Sequence, residues 1–331
     1  MDNDLHPLVS SGAEPSRIAE FVRDEHPSVV VHDLLNRRLP NAHVIAFANE
    51  KGGVGKSTLA FHCAVALTHQ GFRVLTIDCD RRQQTLHRIL EARDGTTRTL
   101  KVDLPRPEHV VLEKQSVSLL LQEIDRLGRD CDFVLIDLPG HDSPIARRTI
   151  ALAHTVITPT NCSPADRDAL GSINPVTGEL RQASPFAQVV VALRAERLVR
   201  GLNAFDWVIA KNRVRRCEQR LIASAERDLN TMERHLGYRL IEGLTERVAY
   251  RELLAFGLSH QDLKLIPSLG RMRNSCSGEL QQLMDALGLP RSSKERRIVK
   301  AARLPAPTRS AQKVAEAYRE ALCSTIQTHS R

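Results

Sequence analysis

A glycine-rich stretch with two lysines and two hydroxyl residues is the part of this 331-residue chain best suited to chemistry. Residues 51–58 read Lys-Gly-Gly-Val-Gly-Lys-Ser-Thr. Glycine has no Cβ, so successive backbone N–H groups can point at one phosphate. Lys56 can reach the β- and γ-phosphates of a nucleotide, and the Ser57 hydroxyl can ligate Mg²⁺. The predicted nucleotide contacts in this loop are Gly52, Gly53, Val54, Gly55, Lys56, Ser57 and Thr58.

The segments on either side of the loop fit the same function. Residues 44–48 form an apolar run that predicts a strand, and residues 59–67 have the pattern of a buried helix. A strand, a glycine loop and a helix in that order are the setting of a phosphate-binding loop. The helix N-terminus adds the positive end of its dipole. A glycine turn with a capping serine is the alternative, and the flanking pattern favours the phosphate loop.

Two acidic residues and a glycine follow other predicted strands. Asp80 and Asp137 each come at the end of an apolar run, and Gly140 follows Asp137 closely. Ligands of open α/β sheets bind at the carboxyl ends of the strands, so these residues should meet the loop. We predict that Asp137 and Ser57 hold Mg²⁺. Asp80 is predicted to orient the attacking water, and the Gly140 N–H to sense the γ-phosphate.

The remaining apolar runs predict the fold that positions these residues. Strand patterns that are nearly continuous in apolar residues indicate a parallel sheet covered on both faces. The predicted class is an α/β P-loop NTPase: a mostly parallel, twisted sheet flanked by helices, with N- and C-terminal extensions. Predicted strands after the first span residues 73–78, 131–137, 155–159, 206–210 and 238–241. Predicted helices lie at 117–127, 215–236, 248–256 and 277–287 and within 166–180 and 186–201, with a surface excursion at 93–112.

Composition divides the chain into three parts. Residues 1–42 have no long apolar period and predict a polar, flexible extension, whereas residues 43–289 are predicted to form the P-loop nucleotide-binding domain. Residues 290–331 form a basic tail. The net charge is +8, and residues 291–331 contain ten Lys or Arg and three Glu, so the tail carries nearly all the excess. Such a tail can meet nucleic acid or an anionic membrane surface, or remain solvated.

Bulk composition excludes several classes of protein. Hydrophobic residues make up 42% and charged residues 26% of the chain, as in ordinary globular proteins. The seven cysteines include no C-x-x-C pair, so neither a zinc site nor a disulfide framework is predicted. No apolar run is long enough to cross a bilayer, and the first residues are polar. We therefore expect a cytoplasmic protein without a transmembrane segment.

The loop departs from the usual phosphate-loop pattern in a way that resembles one superfamily. Glu50 stands where the first glycine is expected, and a second lysine, Lys51, follows it. This is similar to the deviant Walker-A loop of the ParA/MinD ATPases. In that family the early lysine crosses a dimer interface and touches the partner's nucleotide. The resemblance implies ATP and Mg²⁺ as cofactors, a catalytic role for Lys51 beside Lys56 and Asp80, and an ATP-dependent homodimer.

Segments outside the loop resemble the MipZ branch of this superfamily, whose members position the division plane. They are residues 77–85, 140–143, 174–180, 206–208, 212–213, 248–253 and 256–258, within a resemblance that covers roughly 43–289. The resemblance implies that a ParB-like centromere-binding protein captures the monomer. It also implies that the ATP dimer binds DNA nonspecifically, is nucleoid-associated and blocks FtsZ polymerisation. Asn212 matches the position that contacts the adenine ring.

Two departures from the MipZ pattern bear on the switch and on DNA. Leu138 stands where the family usually has threonine after the Walker-B aspartate. On the charged helix, Arg220 aligns with a DNA-contacting arginine of the relatives, but Ser224 and Thr245 fall where two further arginines are expected. The predicted DNA contacts are Arg213, Arg215, Arg216 and Arg220, with the basic tail as a further contributor.

Other functions remain open at this stage. A ParA-type ATPase for plasmid or chromosome partitioning would share every catalytic residue and differ only in its partner. A nitrogenase-reductase type would need cysteines after residue 140, where the sequence reads Gly-His-Asp-Ser-Pro. A MinD-like membrane role would use an amphipathic C-terminal helix, for which residues 311–326 are a weak candidate.

Overall fold

A seven-stranded parallel sheet is the centre of the computed structural model, which describes residues 26–161, 163–214, 219–267, 269 and 278–290. Its strands are β1 (His43–Phe47), β2 (Val74–Asp78), β3 (Glu108–Val111), β4 (Phe133–Asp137), β5 (Thr155–Thr160), β8 (Asp206–Lys211) and β9 (Arg239–Glu242). They lie in the order β3-β2-β4-β1-β5-β8-β9, and all neighbours are parallel. Strands β6 (Gly171–Ile173) and β7 (Leu180–Ala183) form a separate antiparallel hairpin. The predicted α/β class is confirmed.

Helices cover both faces of the sheet. They are α1 (Pro27–Leu35), α2 (Lys56–His69), α3 (Thr85–Leu100), α4 (Val117–Leu127), α5 (Pro144–Leu152), α6 (Pro164–Asp168), α7 (Pro185–Val199), α8 (Gln219–Leu236), α9 (Val248–Ala255) and α10 (Glu279–Leu287). Helices α1, α5 and α7 pack together on one face, whereas α2 contacts α3 and α10 on the other. Val44 and Ala46 of β1 belong to the first core, and Ile45 and Phe47 to the second. The strand is therefore apolar from Val44 to Phe47.

Helix α1 lies inside the segment that was predicted as a polar, flexible extension. Val30, Val31 and Leu34 are buried against the first core, and the His26 ring accepts a hydrogen bond from the N–H of Ser28 at the start of the helix. This helix has only nine residues and few buried side chains. It therefore contains too few repeats of the helical period to be recognised in the sequence. Residues 1–25 of this segment lie outside the described residues.

Two predictions about connecting segments were wrong. Residues 93–112 do not form a surface excursion, because they complete α3 and supply the edge strand β3. The side chains of this edge strand are exposed or half-buried, and its sequence is Glu-His-Val-Val. It therefore lacks the apolar run by which the other strands were predicted. Within 166–180, helix α6 ends at Asp168 and the chain continues into the β6–β7 hairpin. The Asn174 side chain accepts the N–H of Val176 and thereby forms the hairpin turn.

A buried ion pair fixes the middle of α3. Arg93 is fully buried and donates to both carboxylate oxygens of Asp262 at 2.7 Å, and to the Gly257 carbonyl at 3.0 Å. His69 of α2 lies 2.7 Å from the same carboxylate. Burial would raise the pKa of Asp262, but the hydrogen bonds from Arg93 and His69 outweigh it and hold that pKa below its ordinary value. This cluster joins α2, α3 and the 3₁₀ helix His260–Lys264.

Gly257 allows the close approach that this ion pair requires. It has a φ of +62°, and a Cβ there would lie 2.1 Å from the backbone nitrogen of Arg93. The backbone of α3 therefore touches the backbone of residue 257 directly. This contact explains why residue 257 is a glycine.

Replacing Gly257 by alanine should destabilise the protein strongly. Gly288 is the matched control, since it also has a φ of +62° but faces open space. Positive φ alone costs about 1–2 kcal/mol in Gly288→Ala. Gly257→Ala should cost at least about 2 kcal/mol more, because backbone atoms must move. Free energies of unfolding from urea titrations check this, and equal losses in both variants would mean that space at residue 257 is not limiting.

Candidate nucleotide-binding site

Parallel register brings three strand ends together at one edge of the sheet. Asp137 at the end of β4 pairs with Phe47 of β1 on one side and with Asp78 of β2 on the other. The chain leaves β1 into the glycine loop and enters α2 at Lys56. Gly55 caps α2 with a φ of 91° and no side-chain cap. The first N–H groups of a helix have no intrahelical acceptor, so they are available to an anion.

The loop is held by a residue to which the sequence assigned no function. Asn49 is buried, and its Nδ2 donates to the Pro159 carbonyl at 2.8 Å. Its Oδ1 accepts the Lys51 N–H at 2.8 Å. The Lys56 ammonium in turn donates to the Lys51 carbonyl at 3.3 Å. The start of the loop is therefore tied to β5, and the only sequence signal was an asparagine directly after a strand.

Asp137, Ser57 and Lys56 form the charged centre of the site. Asp137 is buried, and burial raises its pKa to about 7, with Asp78 adding to the rise while the Ser57 hydroxyl and Lys56 oppose it. Burial lowers the pKa of Lys56, against the pull of the Asp137 and Asp80 carboxylates. Asp137 Oδ1 is buried without a hydrogen-bond partner. A buried carboxylate oxygen in that state, beside a hydroxyl, fits a hard cation.

These residues therefore fit Mg²⁺. Ser57 and Asp137 would hold it, directly or through water. When bound, Mg²⁺ would neutralise the charge of the β- and γ-phosphate oxygens.

Asp80 lies in the turn that leads from β2 into α3. Its Oδ1 accepts the N–H groups of Arg82 and Gln83, both at 3.1 Å, and the side chain is half-buried. Asp78 accepts the N–H of Asp80 at 2.9 Å and that of His87 at 3.2 Å. Asp78 thus supports the strand end and the turn. Asp80 is the acid of this turn that remains partly exposed beside the loop.

Gly140 lies directly over the loop. A Cβ at this position would be 3.4 Å from the Lys56 Nζ and 3.6 Å from the Glu50 carbonyl. The backbone after Asp137 therefore runs close to the lysine predicted to contact the nucleotide. This placement suits a backbone N–H that responds to a terminal phosphate.

Asn212 and Arg213 reach the loop from the end of β8. Asn212 is buried, and its Nδ2 donates to the Val54 carbonyl at 2.9 Å. A Cβ on Gly55 would come within 2.4 Å of that nitrogen, so this contact requires glycine. Arg213, predicted to contact DNA, instead donates to the Gly53 carbonyl at 2.7 Å and lies 3.2 Å from Glu246. The sequence did not predict that Arg213 would contact the phosphate loop.

Lys51 is bound to an acid within its own chain. Its ammonium lies 2.7 Å from Asp166 Oδ1, and the Asp166 side chain is 3% exposed while that of Lys51 is 32% exposed. Ser163 also hydrogen-bonds Asp166 at the start of α6. Asp166 is not among the predicted site residues, although Ser163-Pro-Ala-Asp166 has the spacing of a capping box.

Of the predicted DNA-contacting arginines that the structure describes, Arg213 lies at the nucleotide site. Arg220 lies on the exposed side of α8. Arg215 and Arg216 lie outside the described residues.

The fold and the site together define a class. A parallel sheet with a glycine loop between β1 and α2, and a buried acid at the end of the adjacent strand, is the arrangement of P-loop NTPases. The family model described as ATPase MipZ matches residues 43–291. The chain belongs to the MipZ ATPase family, and its relatives support ATPase activity.

Several curated proteins and solved structures are similar to parts of the chain. The chromosome-partitioning ATPase Soj of Thermus thermophilus is 32% identical over 133 residues, which cover 35% of this chain and 53% of that protein. The chromosome partitioning protein ParA of Caulobacter vibrioides is 26% identical over 218 residues, covering 51% and 80%. The chain spans about half the length of most of these curated relatives.

Among solved structures, an ATP complex of a Cyanothece McdA variant has 18% identity and a TM-score of 0.47, covering 76% of this chain and 98% of that one. The septum site-determining protein MinD from Pyrococcus horikoshii, complexed with Mg-ADP, has 18% identity and a TM-score of 0.47, covering 76% and 99%.

Among the helices that the structure describes in this chain, none combines the length and apolar character of a membrane span.

Replacing Asp137 by asparagine should stabilise the metal-free protein at alkaline pH. The folded-state pKa of about 7 lies above the ordinary 3.8, so the folded protein binds this proton more tightly than the unfolded chain does. The unfolding free energy therefore falls as pH rises between these values. Asp137→Asn should be about 2–4 kcal/mol more stable than wild type near pH ~8 and lose that advantage near pH ~4, measured by urea denaturation in EDTA.

Asp78→Asn is the matched comparison, because Asp78 is also buried and its pKa is also raised by burial. Its oxygens accept two backbone N–H groups, so an amide N–H₂ there would face a donor and should destabilise the protein. Asp137→Asn should in addition remove the Mg²⁺ dependence of ATP binding. Equal stability losses in both variants would contradict the assignment of Asp137 Oδ1 as a buried oxygen without a hydrogen-bond partner.

Proposed function

We propose that this protein is an ATP-dependent dimerising switch of the MipZ type that positions the division site. In this proposal the ATP dimer binds DNA nonspecifically and inhibits FtsZ assembly, and the monomer interacts with a ParB-like protein. Slow hydrolysis of ATP to ADP and phosphate returns the dimer to the monomer. The protein is accordingly cytoplasmic and nucleoid-associated.

The observation that carries the proposal is the different environment of the two loop lysines. Lys56 is desolvated by burial and its ammonium is within electrostatic reach of the Asp137 carboxylate, as expected of a residue that serves the nucleotide of its own subunit. Lys51 lies at the exposed edge of the loop, and its charge is paired with Asp166. A flexible, strongly hydrated ammonium at such an edge can reach a second molecule. This arrangement supports a role for Lys51 across a dimer interface.

The remaining residues supply what phosphoryl transfer needs. The loop amides and Lys56 would bind the phosphates and neutralise the charge that develops on them. Asp80, in the turn beside the loop, would orient the attacking water. Gly140 would couple the terminal phosphate to the segment that follows Asp137. Asn212 would face the base while it also holds the loop through Val54.

A partitioning ATPase is the second candidate. The names of the curated relatives favour it, since both Soj and ParA are partitioning proteins. The two functions share the same site and differ in the captured partner. A pull-down with full-length protein and a non-hydrolysable ATP analogue, scored for FtsZ and for partition proteins, separates them. Recovery of a partition protein alone would favour the second candidate.

Lys51→Ala and Asp80→Ala should fail in opposite ways. Lys51→Ala should still bind ATP, because Lys56, Ser57 and the loop amides remain, but it should stay monomeric with little hydrolysis. Asp80→Ala should dimerise and hydrolyse ATP at least about 10-fold more slowly, because nothing orients the water. Size-exclusion chromatography with ATP and Mg²⁺, together with phosphate release, measures both properties.

The division of labour between the two residues is wrong if both variants run as monomers or both as dimers. Wild-type hydrolysis by a monomeric Lys51→Ala protein would contradict the dimer switch itself. Nucleotide binding measured in parallel shows whether the loop is intact in each variant.

Asp166→Asn should promote ATP-dependent dimerisation. The substitution removes the charge that holds Lys51 but keeps the shape and an oxygen acceptor for Ser163. Release of a partly buried ion pair should lower the dimer dissociation constant several-fold, about 1 kcal/mol. Asp168→Asn on the same helix is the charge-matched control. Sedimentation velocity at several protein concentrations measures the constant, and identical values for both variants would show that Asp166 does not restrain Lys51.

A further inference from the structure

Two histidines on neighbouring elements meet through the same ring nitrogen. His87 lies in the first turn of α3, and His109 lies in the edge strand β3. Their Nδ1 atoms are 2.9 Å apart, with the ring centroids at 4.9 Å and the ring planes tilted by 54°. The two rings therefore meet edge to edge at these nitrogens and do not stack. We call His87 and His109 the histidine pair.

A carboxylate lies behind each ring, on the side away from the other histidine. Glu91 Oε1 is 3.5 Å from His87 Nε2, and Asp94 Oδ2 is 3.5 Å from His109 Nε2. The first three ligand-type residues of this cluster have the i, i+4, i+7 spacing of one face of α3. Each carboxylate favours a proton on the Nε2 that it faces, which leaves a lone pair on both Nδ1 atoms.

Two neutral rings cannot satisfy all four ring nitrogens. A neutral imidazole carries one N–H, so the pair has two ring protons in total. Donation to both carboxylates uses both protons and sets two lone pairs against each other at 2.9 Å. A proton turned inward would instead leave a bare Nε2 facing a carboxylate, which is repulsive. The arrangement therefore calls for a positive species between the Nδ1 atoms, either a third proton or a metal ion.

Another pair of histidines in the chain provides a contrast. His43 and His154 stack, with their ring centroids 5.0 Å apart and their planes at 28°. The His43 ring bonds the Thr155 hydroxyl, and His154 Nδ1 accepts the N–H of Val44. Those nitrogens serve the fold itself. Within the described part of the chain, the Nδ1 atoms of the histidine pair bond only each other.

The surroundings of the histidine pair favour a cation and leave it accessible. The described groups at salt-bridge distance in this cluster are Glu91, Asp94 and Arg106, whose guanidinium lies 3.6 Å from Asp94 Oδ1. Two carboxylates against one guanidinium leave one negative charge in excess. The side chains of His87 and His109 are 23% and 17% exposed, so an ion can reach them from solvent.

We propose that His87 and His109 bind a divalent transition-metal ion through their Nδ1 atoms. Imidazole nitrogen is a good ligand for Ni²⁺, Cu²⁺ and Zn²⁺, whereas the Mg²⁺ expected at the nucleotide site takes oxygen ligands. Glu91 and Asp94 would accept the Nε2–H groups and orient the two rings, as carboxylates do behind metal-bound histidines. This inference is independent of the proposed function.

The separation of the two nitrogens selects among these ions. Metal–nitrogen bonds of about 2.0–2.1 Å to two atoms 2.9 Å apart enclose an angle of about 90°. A tetrahedral ion would need a separation of about 3.3 Å, so the pair suits tetragonal Ni²⁺ or Cu²⁺ better than Zn²⁺. Among the described residues, no group of three or more ligand-type side chains is placed to hold a metal. Water would therefore complete the coordination.

A metal ion at this position would join the start of α3 to the edge of the sheet. The backbone N–H of His87 donates to Asp78, which also accepts the N–H of Asp80. The ion would therefore hold the helix start next to the turn that contains Asp80. Because the two imidazoles come together only in the folded chain, the ion should stabilise the folded state.

The test is Ni²⁺ binding by the full-length, untagged protein. Isothermal titration calorimetry is carried out with excess Mg²⁺, so that sites built from oxygen ligands are occupied. His87→Gln/His109→Gln removes both imidazoles but keeps polar side chains. The matched control is His32→Gln/His260→Gln, which also removes two imidazoles but leaves the histidine pair intact. Thermal melting without metal shows that each variant is folded.

Wild type and the matched control should bind one equivalent of Ni²⁺ that His87→Gln/His109→Gln lacks. Only they should gain thermal stability from that equivalent. Glu91→Ala/Asp94→Ala should keep the equivalent but bind it at least about 10-fold more weakly, because the rings lose the carboxylates that orient them. With Cu²⁺ as the probe, electron paramagnetic resonance of wild type should show two nitrogen ligands.

Four results would overturn the proposal. If wild type binds no Ni²⁺, the species between the rings is a third proton. Equal stoichiometry and affinity in wild type and His87→Gln/His109→Gln would place the metal elsewhere. An equal loss in the matched control would mean that Ni²⁺ binds histidines without regard to position. Unchanged affinity in Glu91→Ala/Asp94→Ala would contradict the orientation of the rings on which the site depends.

Discussion

The buried carboxylate of Asp137 is the group on which the rest of the site depends. It lies at the end of β4 between two other strand ends, where water cannot solvate it, so burial raises its pKa to about 7. Lys56 is drawn toward it, and the Ser57 hydroxyl donates to it. A site arranged around an under-solvated negative charge is ready for a divalent cation. The glycines of the loop and Gly140 then leave room for phosphates around that charge.

The two lysines of the loop show how the same residue type acquires two functions from its surroundings. Lys56 is desolvated beside two carboxylates, whereas Lys51 is one-third exposed and paired with Asp166. The backbone that joins them is fixed by Asn49 on one side and by Asn212 on the other. A fixed loop with one desolvated lysine and one partly exposed lysine is the feature on which the proposed dimer switch rests.

Helix α3 links the turn that contains Asp80 to the segment 257–264. It begins just after the turn that contains Asp80, and its middle is locked by the Arg93–Asp262 ion pair. The charges of this pair are fully buried and satisfied by five hydrogen bonds from Arg93, so the position of the helix is strongly specified.

Local patterns in the sequence were enough for the α/β class, the phosphate loop and the acids at the strand ends, because apolar runs and glycine spacing are local properties. The tertiary structure alone decided which acid meets Lys51, that Arg213 contacts the loop, and that Arg93 is buried rather than part of a surface excursion. Each of these contacts joins residues far apart in the chain, and a single sequence carries no signal for such pairs. Helix α1 and strand β3 escaped prediction for a related reason: they are short, and neighbours that only the fold supplies stabilise them.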